Sequence, residues 1–197
     1  MMNFGTCKPM AVLKTSFLAG MPMLMTFTSV QAQNLVINEL MASNDLAYPD
    51  AFFEYNDWME IYNAEDTVVQ LAGYHLSDDP DNLTKYTIPD TDAGTTFLPG
   101  GHHLVVWMDQ DSAQGVLHAN FKLSSEDEGL WLTAQDGVTV LDSVVYPPQQ
   151  TDISYGRACD GCEEWEYFNV PTPMSTNVQT LVPTPTLYIN EVLLENT

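Results

Sequence analysis

Apolar and polar residues alternate along most of this chain in short runs, each closed by a turn residue. LVINELMA (35–42) is the first such run. In DWMEIYN (57–63), Trp58, Glu60 and Tyr62 fall on one side and Met59 and Ile61 on the other, the two-residue period of a strand. VVQLAGYHLS (68–77) leads into the turn residues DDPDN, and TKYTIP (84–89) is stopped by Pro89. FLPGGHHLVVWMD (97–109) opens on a Pro-Gly-Gly turn, and its HLVVWM run has the near-continuous apolarity of a central strand. In GLWLTAQDGVTVLDSVVY (129–146) two β-rich runs flank Gln-Asp-Gly, which predicts a tight hairpin. No amphipathic helical period stands out after residue 32. Short strands punctuated in this way predict an all-β sandwich or barrel.

Two stretches depart from the pattern. Residues 1–32 carry Lys8 and Lys14, then an apolar run from Ser16 to Thr28, then small residues at Val30 and Ala32, and no Asp or Glu. Basic, apolar, then small is the order of a secretory signal peptide, with cleavage expected after Ala32 or Gln33. The apolar run is 13 residues long and contains Pro22, short of the ~20 that span a bilayer. Cys7 precedes the run and so is not a lipoprotein cysteine. The second departure runs from Pro171 to Thr186, with prolines at 171, 173, 183 and 185. It reads as an interdomain linker, with the domain closing by Asn177 and the linker proper at 178–186. Beyond it LYINEVLLENT (187–197) repeats LVINELMASND (35–45) at an offset of 152, sharing Leu, Ile, Asn, Glu and a later Asn. That self-similarity predicts the first strand of a second, truncated unit.

Charge narrows the partners. Without the leader, Lys85, Lys122 and Arg157 stand against all 27 acids, a formal charge of −24. Such a surface repels nucleic acid and anionic headgroups, so neither nucleic-acid binding nor membrane insertion after cleavage is expected. Two cysteines remain, Cys159 and Cys162 in ACDGC. One such knuckle is not a zinc ribbon, and Asp-Gly marks a turn rather than the helix start of a thioredoxin site. An exported chain favours a local disulfide between them.

The candidate chemistry is sparse. Asp78, Asp79 and Asp81 in SDDPDN could offer oxygen ligands to Ca²⁺, but the same residues make a self-capping turn, which is the favoured reading. DQDS (109–112) is a weaker version. His75, His102, His103 and His118 show no metal-binding spacing, and His102 and His103 are expected on opposite faces of a strand. Asn38 and Glu39 recur as Asn190 and Glu191, so a structural role is expected for them. Arg157 is expected to pair with a carboxylate and pin its loop. Of the four tryptophans, Trp107 and Trp131 are expected to be largely buried, as core-filling aromatics. Trp58 and Trp165 are left open, since both exposed side by side would make a glycan-stacking platform. No catalytic set and no cofactor site converge.

An ordered series then matches a known family. It comprises INEL (37–40), ASND (42–45), DWMEIYN, LAGYHLSDDPDNLTKYTIPD (71–90), LPGGHHLVVWMD (98–109), LHANFKLSSEDEGLWL (117–132) and DGVTVLDSVVYPPQQTDISYGR (136–157), closed by DG (160–161), Trp165 and PTP (171–173). Over residues 34–177 the chain resembles the lamin-tail domain in its bacterial secreted form. Met174, where a glycine is usual, and the cysteine pair in ACDGCEE depart from the family's pattern. The resemblance implies an immunoglobulin-like β-sandwich, used as an accessory module beside catalytic domains or in tandem in cell-surface proteins. The expectation is a non-catalytic module, secreted, periplasmic or at the cell surface, serving adhesion, targeting or spacing in a longer protein. Its partners would be neighbouring domains of that chain and a protein or glycan ligand. The rival is an accessory fragment of a secreted phosphoesterase, nuclease or spore-coat-type kinase whose catalytic domain lies past residue 197. A Ca²⁺-dependent binding module is a weaker alternative.

Overall fold

The structure, a computed structural model, describes residues 34–178. The expected leader, the expected linker beyond residue 178 and the strand expected at 187–197 lie outside the described residues.

Eleven strands form, with one helical turn, α1 (Ala93–Thr96), and a short 3-10 turn at Ser112–Gln114. The predicted runs become β1 (Leu35–Met41), β2 (Trp58–Asn63), β3 (Val69–Gln70), β4 (His75–Ser77), β5 (Tyr86–Thr87), β6 (Phe97–Leu98), β7 (His103–Trp107), β8 (Glu128–Thr133) and β9 (Val140–Tyr146). Two more, β10 (Ser154–Arg157) and β11 (Trp165–Phe168), follow in a region where the alternation predicted none. All the strand pairs are antiparallel. One sheet has the order β11-β10-β1-β2-β7, a second has β5-β4-β8-β9, and β3 pairs with β6 as a small ribbon. The main core lies between the two large sheets. Leu35, Ile37, Leu40, Met59 and Ile61 from the first meet Leu76, Leu130, Leu132, Val144 and Tyr146 from the second. Each buried aliphatic or aromatic side chain there contributes about 1.5–3 kcal/mol relative to exposure. This is an immunoglobulin-like β-sandwich.

The first strand is irregular, and the irregularity matters later. Ile37 pairs with Ile61, but the next pair is Glu39 with Glu60, so Asn38 is an extra residue, a β-bulge. The bulge shifts the alternation by one. Ile37 and Leu40 both reach the main core, while Met41 turns to the other face of the sheet and packs with Trp58, Val105 and Trp107. The uneven spacing of Leu35, Ile37 and Leu40 (two, then three) is the trace of that bulge in the sequence.

Three expectations need correction. Trp131 is half-buried and does not fill the core. Leu130 and Leu132, both fully buried, take the core face, which turns Trp131 outward, where its ring lies over Gly129. His102 precedes the strand instead of sharing it with His103, and its Nδ1 sits 2.9 Å from the Gly100 carbonyl. The HLVVWM run, expected as a central strand, forms β7 at the edge of its sheet. Residues 171–177 pack back on the domain. Thr172, Met174 and Asn177 hydrogen-bond to β1 and β2 side chains and main chain, and Asn177 is buried.

The Pro-Gly-Gly turn between β6 and β7 contains two glycines with different reasons to be glycine. A Cβ at Gly100 would drive into the main chain of Glu65, Asp66 and Thr67. Gly101 has open space but a φ of +70°. Gly101→Ala is expected to cost about 1–2 kcal/mol, the left-handed penalty. Gly100→Ala should cost more, since backbone must move. Urea unfolding of the two variants checks the order.

Candidate functional site

The buried polar groups gather in two places, at opposite ends of the chemistry a sandwich can carry. The first is an internal network centred on the bulge. Glu39 and Glu60 stand opposite each other on β1 and β2, both fully buried. Ser154 Oγ, the Thr172 amide (3.0 Å) and Thr172 Oγ1 (2.8 Å) donate to Glu39. Asn38 Nδ2 (3.1 Å) and the Met174 amide (2.6 Å) donate to Glu60. Asn177 Nδ2 donates to the carbonyls of Asn38 (3.0 Å) and Arg157 (2.7 Å). Arg157 donates from Nε to the Ile37 carbonyl (2.8 Å), from Nη2 to Asp142 (2.7 Å) and from Nη1 to the Cys162 carbonyl, and its guanidinium lies 5.0 Å over the Trp165 ring. The carboxylate pairing and loop-pinning expected of Arg157 are therefore both present. Asn38 and Glu39 have the structural role expected of them.

Cys159 and Cys162 are disulfide-bonded in the turn between β10 and β11, with Cα atoms 5.3 Å apart. Asp160 in the same turn accepts from Asn38 Nδ2 (3.1 Å) and from the Asn177 amide (2.9 Å). Trp165 is half-buried and stacks on Tyr155, with centroids 5.3 Å apart. Trp58 is fully buried, so the two tryptophans left open form no shared outer platform.

The second place is the loop end beyond β1 and β7. The loop from Ala42 to Asp57 is long but tightly held. Asn44 donates to the carbonyls of Tyr48 (2.6 Å) and Asn56 (2.9 Å), while its Oδ1 accepts from the Ala47 and Tyr48 amides (3.2 Å each). From the far side Asp152 Oδ1 accepts three consecutive amides, those of Asp45 and Leu46 (2.8 Å each) and Ala47 (3.1 Å). Those bonds to the charged form hold the Asp152 carboxyl below its usual range. Tyr48 stacks on Trp107, with centroids 5.5 Å apart, and clamps the loop to the sheet. Held this way, the loop presents Leu46, Phe52, Phe53 and Tyr55 to solvent, with Phe53 84% exposed.

Beside them is a groove of about 310 Å³, lined among others by Asn44, Tyr55, Asp57, Met108, Lys122 and Ser125. Burial pushes Asp57 up to about 6, against the opposing pull of Lys122 and the Leu123 amide. Under the loop tip, Asp50 meets Asp109 and His118, and ligand atoms of all three lie within 4.8 Å of one another. Asp109 and His118 are brought together because the segment after β7 folds back on it. The Trp107 amide donates to the Leu117 carbonyl (2.8 Å), the Ala119 amide to the Trp107 carbonyl (2.7 Å), and His118 Nδ1 sits 2.6 Å from Asp109 Oδ2.

The predicted calcium candidates stand elsewhere and do not converge. Asp78 is paired with Lys85 (2.5 Å). Asp79 accepts the Asp81 amide (2.9 Å), and Ser77 Oγ accepts the Asp79 amide (2.9 Å), the bonding of a self-capped turn. Of DQDS only Asp109 joins a ligand cluster, and it does so with His118 and Asp50. Local spacing could not show this, because Asp50 comes from the loop after β1 and the other two from the segment after β7.

Fold and site together define an immunoglobulin-like module whose buried Glu39, Glu60 and Arg157 tie its strands and closing segment together. The Lamin Tail Domain family matches residues 28–148, and the chain belongs to that family. No curated protein and no solved structure matches it. β10 and β11 lie past the matched span, yet they complete the sheet beside β1.

The facing acids make a pH prediction. Burial raises the Glu60 carboxyl from 4.5 to about 8, with Glu39 and Asp160 adding to the rise, and burial raises Glu39 as well. A folded pKa above the unfolded value means that the native state binds the proton more tightly. Glu60 therefore costs nothing below about pH 4.5, and stability is lost as pH climbs from there to about 8. The effect is of the order of a few kcal/mol across that window. Melting midpoints measured from pH 4.5 to 8 should fall for the wild type and fall much less for Glu60→Gln.

Proposed function

We propose that the chain is a non-catalytic exported module that serves adhesion, targeting or spacing within a larger secreted or cell-surface protein, and that it makes contact through the 42–57 loop. The observation that carries this reading is the exposed group Leu46, Phe52, Phe53 and Tyr55 on a loop held by the Asn44 and Asp152 bonds. A pre-ordered loop loses little entropy on binding, and exposed aromatic side chains are the usual anchors of a contact surface. The buried ionisable groups Glu39, Glu60 and Arg157 are engaged in closing the fold, which leaves them unavailable to a substrate. The Pro-rich stretch and the repeated strand motif after it support an arrangement in series with further domains. The leader and the excess of acids support an exported, highly soluble exterior with a protein or glycan partner rather than nucleic acid.

The test is co-sedimentation with the surface fraction of the producing cell. The intact chain is expected to be retained, and the Phe52→Ser/Phe53→Ser double variant to lose about tenfold or more in affinity with its melting midpoint unchanged. Equal retention of the two would sink the loop reading. Retention on duplex DNA at physiological salt, or turnover of a simple phosphodiester by the purified chain, would overturn the wider one.

A further inference from the structure

We propose that Asp50, Asp109 and His118 form a binding site for a divalent transition metal of the zinc class. The site goes beyond the loop reading above and stands independently of it.

Geometry comes first. One ligand atom from each of the three residues lies within 4.8 Å of the other two, and their exposures are only 6%, 8% and 6% in that order. Asp50 supplies the second observation. Its Oδ1 is satisfied, accepting the amides of Phe52 (2.8 Å) and Glu54 (2.9 Å). Its Oδ2 is buried and has no hydrogen-bond partner among the described residues. A buried carboxylate oxygen left alone is unfavourable, and a native structure that keeps one calls for an ion or a water there. Asp109 is oriented in the same manner, its Oδ1 taking the Asp111 amide (2.9 Å) and its Oδ2 facing His118 Nδ1 (2.6 Å).

A second orphan sits in the same pair of loops. Gln114 donates to Glu54 (2.8 Å) and to Asp111 (3.1 Å), the two residues whose amides hold the Asp50 and Asp109 carboxylates. Its Oε1 is buried without a partner among the described residues.

The donor set selects the ion. Two carboxylates match the charge of a dication. An imidazole nitrogen suits zinc, cobalt or nickel, whereas Ca²⁺ wants six to eight oxygens. Three protein ligands leave room for a water or an outside ligand, a common zinc arrangement. Such an ion would tie the aromatic loop to the end of β7, since Phe52 lies edge-on to the His118 ring with centroids 6.1 Å apart. The competing account is the Asp109–His118 hydrogen bond alone, with a water on Asp50 Oδ2.

The experiment uses the purified chain, stripped with a chelator, and follows thermal melting and the visible spectrum. Zn²⁺ at a hundredfold excess over its Kd is expected to raise the midpoint by about 8 °C. Co²⁺ should give the d–d bands of a nitrogen- and oxygen-ligated ion, and millimolar Ca²⁺ should give neither response. Asp50→Asn keeps an acceptor for the two loop amides and removes the orphan oxygen, so it should fold and lose both the zinc shift and the cobalt spectrum. His118→Gln should lose the spectrum as well, and Asp78→Asn should keep both. The proposal is overturned if Zn²⁺ moves nothing, if the cobalt spectrum survives in Asp50→Asn and His118→Gln, or if Ca²⁺ gives the shift that Zn²⁺ does not.

Discussion

Two glutamates face each other across the centre of the main sheet, out of reach of water, and the fold has to solve that problem to close. Glu39 and Glu60 are cross-strand neighbours, and like charges placed directly opposite destabilise a sheet. The solution has two parts. Burial keeps Glu60 protonated through neutrality, which removes one of the two charges. The other carboxylate collects donors from Ser154 and from Thr172, on a strand and a segment more than a hundred residues away. The first strand of the domain therefore cannot be satisfied until its last segment has returned. This couples the two termini of the sandwich more firmly than apolar packing alone would, because apolar contacts are non-directional and these bonds are not.

The bulge at Asn38 is what places the pair there. Without the extra residue, the alternation begun by Leu35 and Ile37 would carry Glu39 to the core face and Leu40 out of it. With it, the core receives Leu40 and the opposite face receives Glu39. Asn38 itself bonds to Glu60 and Asp160 and accepts the Gly161 amide (3.2 Å), so the residue that makes the bulge also ties it to the disulfide turn. The recurrence of Asn and Glu at 190 and 191 fits a requirement of this kind, since neither residue suits a strand by propensity.

How much of this could be read in advance depends on how local each feature is. Short apolar runs of five to seven residues showed β1, β2, β7 and the β8–β9 hairpin, although the unbroken apolarity of β7 suggested a central strand and it stands at the sheet's edge. β10 and β11 were invisible: SYGR and WEYF are four residues each, and their strand character comes from pairing with β1 and with each other. Trp131 was misplaced because large aromatic residues are usually buried, whereas its own neighbours Leu130 and Leu132 had already claimed the core side. The Asp50, Asp109 and His118 cluster left no local trace, as it unites a loop after β1 with two positions after β7. Spacing rules find ligands that share an element, and these share only a place in space.

The same chain treats its acids in three ways, and the contrast indicates where outside chemistry could enter. Glu60 is neutralised by its surroundings, and the half-buried Asp152 is lowered by three amides. Asp142 is neutralised by Arg157. Each of these is complete within the chain. Asp50 alone among the buried acids keeps an oxygen with no partner among the described residues, and it does so next to a second carboxylate and an imidazole. It also stands beneath the most exposed aromatic residue of the domain. One end of the sandwich is thus closed by its own hydrogen bonds and disulfide, and at the other the unpartnered Asp50 oxygen lies beside exposed aromatic side chains.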